Sequence, residues 1–356
     1  MNITRKFNVL AVVLIASLTL AACGGQATTQ APAATQASAN QPTALKFGIV
    51  MTTPLGTPWN ASLLQALTRV KELKPHGLDI SWDVSENVAQ ADEERVLRQY
   101  ADSGKYGIIW DNGPSSEVVR PLLKDYPEIL FAVDGAGNKP LGGNGYYFDS
   151  NVHECAYLLG IIAGKMTKTN TIGMIGQYAY PNVNISANAY FAGAKSVNPN
   201  IKTLAAYVDS WYDPVKTKQA AEVQIAAQAD YIFGQAFGAF DAAKEKGVFA
   251  FGHQVDQYEL GPDVVVTGDV IKWDPGLMTV IEAWWVKQTQ STAYAAPGDK
   301  GLIYNMKAGS CDIAPYHSFA DKLPQEVKAA VDQAKADILS GKLVVQYDES
   351  TPTSSK

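Results

Sequence analysis

Short apolar runs alternate with amphipathic helical patterns from Ala44 onward, and no other feature of the sequence constrains the fold as strongly. Strands that alternate with helices pair into parallel sheets, with right-handed crossovers between successive strands. The alternation occurs in two successive sets, which predicts a bilobed α/β protein. The predicted strands of the first set are residues 45–51, 78–84, 106–110 and 129–133, and those of the second set are residues 171–176, 201–208, 230–234 and 248–252.

The boundaries of the lobes are predicted from where each set begins and ends. About 310 residues follow the amino-terminal segment, which suits two domains of ordinary size. We expect residues 45–148 plus about 270–298 to form an N-terminal lobe. Residues 149–269 plus about 299–347 are expected to form a C-terminal lobe, and the polar residues 348–356 a flexible tail.

Residues 1–22 have the pattern of a bacterial lipoprotein signal peptide. Arg5 and Lys6 supply a positive start, and residues 9–20 form an apolar run too short to span a bilayer. Small residues then lead directly into Cys23, whose thiol is the group that a lipid anchor needs. The sequence therefore predicts an exported protein lipidated at Cys23, with a plain signal peptide as the alternative.

The stretch from Cys23 to Ala44 is predicted to be a disordered tether. Residues 24–44 contain no aromatic or charged side chain and show no periodicity. About 20 flexible residues reach roughly 25 Å. We therefore expect the folded part to lie on the extracytoplasmic face of the cell membrane, close enough to contact a membrane partner.

Composition argues against several classes of partner and activity. The formal charge of −6 becomes −8 without the two positive residues of the signal peptide. An acidic chain without basic runs argues against nucleic acid as a partner. No phosphate-binding loop, serine-hydrolase elbow or zinc-protease motif occurs, and the four histidines lack metal-ligand spacing. We therefore expect no enzyme, no cofactor and no metal site.

Two cysteines remain after Cys23. Cys155 lies in an apolar helical run and is predicted to be a buried free thiol. An exported compartment also permits a disulfide between Cys155 and Cys311, and their spacing does not decide between the two states.

The residues that follow the predicted strands indicate where a ligand binds, because ligands of open parallel sheets lie beyond the carboxyl ends of the strands. These residues are aromatic, amide and carboxylate, with no Arg or Lys among them. Free carboxylates and phosphates usually meet Arg or Lys, so we expect a neutral ligand with flat faces and hydrogen-bond donors. The candidate binding residues are Trp59, Asn60, Trp110, Asp111, Trp211, Gln235, Gln254, Asp256 and Trp273.

Several of these residues also have a purely structural interpretation. Trp59 and Trp273 would equally serve as packing, Asn60 as a helix cap, and Asp256 as a turn residue. Asp213, which precedes a proline, is predicted to be an N-cap rather than a binding residue. For the ligand, a nucleobase or nucleoside meets the demands of the site, and a sugar meets them nearly as well.

Several segments of the chain share the sequence pattern of one known family. The most specific is Asp-Ser-Trp-Tyr-Asp-Pro at residues 209–214, supported by the helix at 155–164 and the strand at 248–252. Trp59 and Asn60 match an aromatic–Asn pair of the same family. On these segments the chain resembles the basic membrane protein family, the purine nucleoside receptor-like substrate-binding lipoproteins of ABC importers.

This resemblance implies a type I periplasmic-binding-protein fold, in which two Rossmann-like lobes close on a ligand about a hinge. It also implies that aromatic side chains sandwich a purine while an Asp and a Lys hold the ribose. Trp59 and Trp211 match the aromatic positions, and Asp256 matches the aspartate. Residues 51–58 lack the family's aspartate and Lys272 is displaced from the family position, so a free base and a nucleoside stay as alternatives.

The resemblance further implies a monomeric receptor that is anchored by lipid and delivers its ligand to an ABC permease in the membrane. The sequence leaves three other functions open. They are a sugar receptor of the same fold, a sensory receptor that signals to a kinase or chemotaxis partner, and a secreted nucleoside-processing enzyme.

Overall fold

The computed structural model describes residues 41–135 and 137–355. The predicted signal peptide, Cys23 and most of the predicted tether lie outside this range. Within it, no helix has both the length and the apolarity needed to cross a membrane.

The described residues form two six-stranded sheets, each flanked by helices. The strands are β1 (Ala44–Val50), β2 (Asp79–Ser85), β3 (Ile108–Asp111), β4 (Leu130–Asp134), β5 (Gly145–Ser150), β6 (Thr171–Gly176), β7 (Lys202–Tyr207), β8 (Tyr231–Gly234), β9 (Phe249–Gly252), β10 (Val265–Ile271), β11 (Leu302–Tyr304) and β12 (Cys311–Ile313). The helices are α1 (Pro58–Leu73), α2 (Glu93–Asp102), α3 (Ser116–Asp125), α4 (His153–Met166), α5 (Pro181–Val197), α6 (Pro214–Ala226), α7 (Ala239–Lys246), α8 (Asp274–Gln290) and α9 (Gln325–Ser340).

The first sheet is entirely parallel, in the order β11-β5-β4-β3-β1-β2. The second has the order β12-β10-β9-β8-β6-β7, and only its edge strand β12 is antiparallel. Central strands such as β3 and β4 are buried at every position, as expected for parallel strands covered on both faces. The predicted bilobed α/β architecture is therefore confirmed.

Three connections join the lobes and form a hinge. They follow β5, β10 and β11, and hydrogen bonds link them to one another: Asn151 N donates to Tyr304 O at 2.8 Å, and Lys272 N donates to Ser310 O at 2.7 Å. Because β5 and β10 both enter the hinge at their carboxyl ends, the carboxyl edges of the two parallel sheets both adjoin it.

Strand β11 lies in the first sheet, where it pairs with β5. The prediction that residues from about 299 onward belong to the C-terminal lobe is therefore wrong for this strand. The remaining lobe boundaries stay predictions. A three-residue strand carries too little pattern to show which sheet it joins, and pairing with β5 is a long-range contact.

The predicted flexible tail is instead held along the second lobe. Ser355 N donates to Thr203 O at 2.7 Å, and Ala205 N donates to Ser354 Oγ at 3.1 Å. Asn188 of α5 also donates through Nδ2 to Ser350 O at 2.7 Å. The prediction fails because β7 is an edge strand, whose free main-chain groups accept a polar segment as a partner.

Cys155 and Cys311 form a disulfide, with their Cα atoms 6.3 Å apart. The prediction of a free thiol at Cys155 is therefore wrong. Cys155 lies in the first turns of α4 and Cys311 begins β12. The third hinge connection brings these distant segments together, and helical periodicity around Cys155 carries no trace of that contact.

Candidate functional site

Trp59 lies over the carboxyl end of β4 in the first lobe. It occupies the first turn of α1 and is half-buried, with its ring beside Gly135, the residue that follows β4. Gly135 has φ +86°, and a Cβ atom there would lie 3.0 Å from Trp59 Cζ2. The absence of a side chain at Gly135 therefore makes room for the indole ring at this edge of the sheet.

Trp110 and Trp273, both predicted to bind ligand, are buried beneath Trp59. Trp273 meets Trp59 edge-to-face with 5.2 Å between ring centroids, and its Nε1 donates to Ser62 Oγ at 2.9 Å. Trp110 Nε1 donates to Asp134 Oδ2 at 2.6 Å. Both indole N–H groups are thus already used within the protein. Trp273 therefore supports the ring of Trp59, and Trp110 in turn packs against Trp273 with 6.5 Å between ring centroids.

Asn60 shapes the loop that follows β1. It is fully buried, and its Nδ2 donates to Thr53 O at 2.9 Å and to Pro54 O at 2.8 Å. The amide of Asn112 lies between Asn60 and Asp134 and links the loop to the end of β4. Asn60 therefore positions the loop in front of Trp59 and has no free donor of its own.

Two carboxyl groups at the carboxyl ends of β3 and β4, Asp111 and Asp134, are fully buried and have raised pKa values. Burial raises the pKa of Asp111 well above its ordinary value, and the neighbouring Glu93 adds to that effect. Burial also raises the pKa of Asp134, against the opposing hydrogen bond from Trp110. Asp111 faces α2 and α3, and neither of its oxygens has a partner among residues 41–135 and 137–355. The raised pKa values favour the uncharged form of these two groups.

An exposed group of aromatic rings follows three successive strands of the second lobe. Trp211 is 45% exposed and meets Tyr178 edge-to-face, with 4.9 Å between ring centroids. Tyr180 is exposed 5.6 Å from Trp211, and Tyr212 lies 5.5 Å from Phe237. We name these five residues the aromatic rim: Tyr178, Tyr180, Trp211, Tyr212 and Phe237. Its sequence signal is an aromatic residue soon after each of β6, β7 and β8, and sequence reasoning singled out only Trp211.

Polar side chains lie at the carboxyl ends of β8 and β9. Gln235 is buried, donates through Nε2 to Val183 O at 3.3 Å, and leaves Oε1 without a partner among the described residues. The His253 ring nitrogen Nδ1 lies 2.9 Å and 3.1 Å from the two carboxylate oxygens of buried Asp269. Gln254, with φ +70°, directs its main-chain N–H to Asp269 at 3.2 Å. Sequence reasoning missed Asp269, whose only signal is a carboxylate within an apolar strand.

Asp256 and Lys272, which the resemblance linked to ribose, both have partners within the protein. The exposed Asp256 Oδ2 lies 2.7 Å from His317 Nε2, and its Oδ1 accepts from Tyr258 N at 3.1 Å. Lys272 Nζ lies 3.5 Å from Asp312 Oδ2. The charged groups of Asp256 and Lys272 therefore both have partners within the second lobe.

The groups at these strand ends suit recognition of a neutral molecule. Trp59 belongs to the first lobe and the aromatic rim to the second. The amides of Gln235 and Gln254 and the imidazole of His253 follow the strands β8 and β9 of the second lobe. Within the described ranges, no three His, Cys, Asp or Glu side chains come together as metal ligands. Aromatic rings offer stacking area, and the polar groups offer hydrogen bonds that fix a ligand's orientation.

Comparisons with known proteins identify the family. The family model Bmp, described as "ABC transporter substrate-binding protein PnrA-like", matches residues 49–298, which is more than half of the chain. A purine-binding protein of Brucella abortus (strain 2308) is 27% identical over 303 residues, or 84% of this chain and 82% of that protein. A putative ABC transporter glucose-binding protein of Haloferax volcanii is 29% identical over 209 residues, or 57% of this chain and 53% of that one.

Solved structures show the same fold. An ABC transporter solute-binding protein from Conexibacter woesei superposes with a TM-score of 0.67 at 21% identity, over 85% of this chain and 99% of that chain. At this identity the likeness concerns the fold alone. It confirms the two-lobed periplasmic-binding-protein fold that the sequence resemblance implied.

Proposed function

Because the chain belongs to the Bmp family of PnrA-like ABC transporter substrate-binding proteins, we propose that it binds a purine base or nucleoside, or a similar flat heterocycle. Members of this family are solute-binding components of transporters rather than enzymes. One observation carries the proposal: Trp59 of the first lobe and the exposed aromatic rim of the second both follow the carboxyl ends of strands. The side chains at these strand ends include amides, and the nearby Lys272 is already paired with Asp312. Stacking on aromatic rings is the general means of holding a base without charge.

The proposed binding residues are fewer than the sequence predicted. Trp59 and Trp211 would stack on the ligand, and Gln235 and Gln254 would lie at its edge. Trp110, Asn60 and Trp273 would position Trp59 from below, and buried Asp111 would keep the edge uncharged. Asp256 stays outside the proposed site because His317 already occupies its carboxylate.

We further propose that the protein acts as a monomer, is anchored through Cys23 and delivers the loaded form to a membrane permease. A flexible tether of about 20 residues keeps a receptor near its permease at high effective concentration. Mass spectrometry of the exported protein tests the anchor. An unmodified Cys23 at the mature amino terminus, or a chain cleaved elsewhere, would contradict it.

A sugar receptor is the second candidate, because one relative is named as a putative glucose-binding protein. Sugars also stack on aromatic rings. Their hydroxyl groups donate hydrogen bonds to amide oxygens and accept them from amide N–H groups. The buried Asp111 and the paired Lys272 favour neither ligand over the other. Binding measurements therefore decide between a purine-like heterocycle and a sugar.

Thermal unfolding of refolded, ligand-free protein tests the choice. Bases, nucleosides, flavin and sugars are added separately, and a ligand at 100 times its Kd is expected to stabilise the folded state by about 2.7 kcal/mol. We expect a purine base or nucleoside to raise the melting temperature. A shift with sugars and with no heterocycle would reject the purine proposal.

A further inference from the structure

Gln235 and His253 occupy matching positions beyond two paired strands, at the carboxyl edge of the second sheet. Strands β8 and β9 pair in parallel, with Phe233 opposite Phe251. Gln235 and His253 each follow two residues later along their own segment. Because side chains alternate between the faces of a sheet, this register directs both toward the face that carries Phe233 and Phe251. The His253 ring meets Phe233 edge-to-face at 5.5 Å, in agreement with that placement.

Asp269 determines which nitrogen of His253 holds the proton. Both oxygens of this fully buried carboxylate lie within 3.1 Å of Nδ1. A carboxylate only accepts hydrogen bonds, so a neutral imidazole beside it keeps its single proton on Nδ1. Nε2 is then a bare acceptor, and among the described residues the hydrogen bonds of the ring are made by Nδ1 alone.

Gln235 supplies a second acceptor without a donor. Its Nε2 donates to Val183 O at 3.3 Å, which orients the amide and leaves Oε1 for another partner. Oε1 is buried and has none among residues 41–135 and 137–355. Buried acceptors are almost always paired in folded proteins, so the site lacks a donor that a ligand would bring.

We propose that Gln235 Oε1 and His253 Nε2 together accept both hydrogens of an exocyclic amino group on the ligand. The inference rests on the proposed function and narrows its ligand class to amino-substituted heterocycles. Lys272 does not supply the missing donor, because its ammonium group pairs with Asp312. Adenine, which carries such an amino group, is thereby selected over hypoxanthine, which carries an oxo group at the same position.

Asp269→Asn tests the proposal by reversing the hydrogen-bonding role of His253. Gln254 N–H donates to Asp269 Oδ1, so it holds the oxygen of the new amide and leaves the NH₂ group to donate to Nδ1. The ring proton then moves to Nε2, which becomes a donor. Calorimetric titration at pH 8 measures the affinities for adenine and hypoxanthine.

We expect the wild type to prefer adenine by about tenfold or more, the effect of one mispaired buried hydrogen bond. In Asp269→Asn this ratio is expected to fall by about tenfold or to reverse. Glu282→Gln is the matched control, because it changes a carboxylate that also pairs with a histidine, the exposed His76. An unchanged ratio in Asp269→Asn, or a ratio altered equally in the control, overturns the proposal.

Two further measurements separate this proposal from the proposed function. Nitrogen-15 NMR of the ligand-free wild type is expected to show His253 protonated at Nδ1 alone, and any other state overturns the proposal. If Asp269→Asn does not fold, His253→Phe serves instead, because it keeps an aromatic ring at this position. This variant is expected to lose the preference for adenine over hypoxanthine, and a retained preference would contradict the proposal. A wild type that prefers hypoxanthine overturns the acceptor pair but not the function, whereas binding of no heterocycle overturns both.

Discussion

Trp211 and Asp111 show that a position after a strand does not settle the role of a side chain. Trp211 lies in the loop after β7, where it is exposed beside Tyr178 and Tyr180. Asp111 is the last residue of β3 and points between α2 and α3, toward Glu93. Trp211 lies in a loop beyond the end of its strand, whereas Asp111 is part of a strand that is buried at every position.

Trp211→Ala is expected to weaken ligand binding by about 1–3 kcal/mol, the usual contribution of stacking a base on an aromatic ring. Calorimetric titration with the ligand found by thermal unfolding measures the change. Tyr347→Ala is the control, because Tyr347 is 46% exposed but lies on the carboxyl-terminal segment beside His153. Unchanged affinity in Trp211→Ala would show that the ring only packs against its tyrosine neighbours.

Asp111→Asn is expected to stabilise the protein at alkaline pH and to leave it unchanged near pH 4. The pKa of Asp111 is raised in the folded state, so its contribution is fully present below the unfolded pKa of about 3.9. That contribution is lost as pH rises through the folded pKa. The amide of the variant does not ionise, so this fall in the free energy of unfolding is absent from it. Denaturant unfolding of both proteins between pH 4 and pH 9 measures the difference.

Asp83→Asn provides a control of opposite sign. Lys46 and Tyr106 lower the pKa of this exposed carboxyl, so its contribution is present at neutral pH and lost on acidification. Its amide variant is therefore expected to be less stable than the wild type at neutral pH. Equal pH profiles for wild type and Asp111→Asn would contradict a neutral Asp111.

Helices α4 and α5 pack closely because glycines stand where they cross. A Cβ atom on Gly160 would lie 2.0 Å from Tyr190 O, and one on Gly193 would lie 2.0 Å from Tyr157 O. The two main chains therefore approach each other without side chains between them. This contact sets the position of the amino terminus of α5, beside which Gln235 is hydrogen-bonded through Val183.

Gly160→Ala is expected to lower the free energy of unfolding by about 1–3 kcal/mol, the usual cost of overpacking. In a helix, alanine is more favourable than glycine by about 1 kcal/mol. A lower free energy of unfolding in Gly160→Ala therefore means that the crowded contact outweighs the higher helix propensity of alanine. Gly56→Ala is the control, because a Cβ atom there meets nothing within 4 Å. Denaturant unfolding of both variants decides, and a gain in Gly160→Ala would refute the close packing.

The hinge unites the two lobes through three connections, and the disulfide reinforces it. Cys155 and Cys311 are separated by 156 residues in sequence, so the bond closes a large loop of the unfolded chain. Ser150 and Ser310, from the first and third connections, are also hydrogen-bonded at 3.2 Å. These contacts hold β12 and α4 together at the base of the site.

Replacing both cysteines with serine is expected to lower the free energy of unfolding by about 2–5 kcal/mol, as for other native disulfides in exported domains. Thermal unfolding of the wild type with and without reductant provides the parallel measurement. The double variant should melt at one temperature regardless of reductant. A wild type that is insensitive to reductant and equal to the variant would contradict a disulfide that stabilises the fold.

The alternation of strands and helices was sufficient to predict both lobes, because a period of two or 3.6 residues is a local property of the chain. The N-cap at Asp213 was also predictable, and its Oδ1 accepts from Lys216 N at 3.0 Å as expected. The aromatic and amide composition of the strand ends followed from the same local pattern. Each of these features depends on residues close together in sequence.

Contacts between distant segments were not predictable from such patterns. The disulfide, the pairing of β11 with β5, and the docking of the tail on β7 each join parts of the chain more than 100 residues apart. Asp269 of β10 meets His253, which follows the neighbouring strand β9, and Asp256 meets a histidine that follows β12. Local periodicity determined which elements form, whereas packing and strand order determined which polar groups meet and which side chains face a ligand.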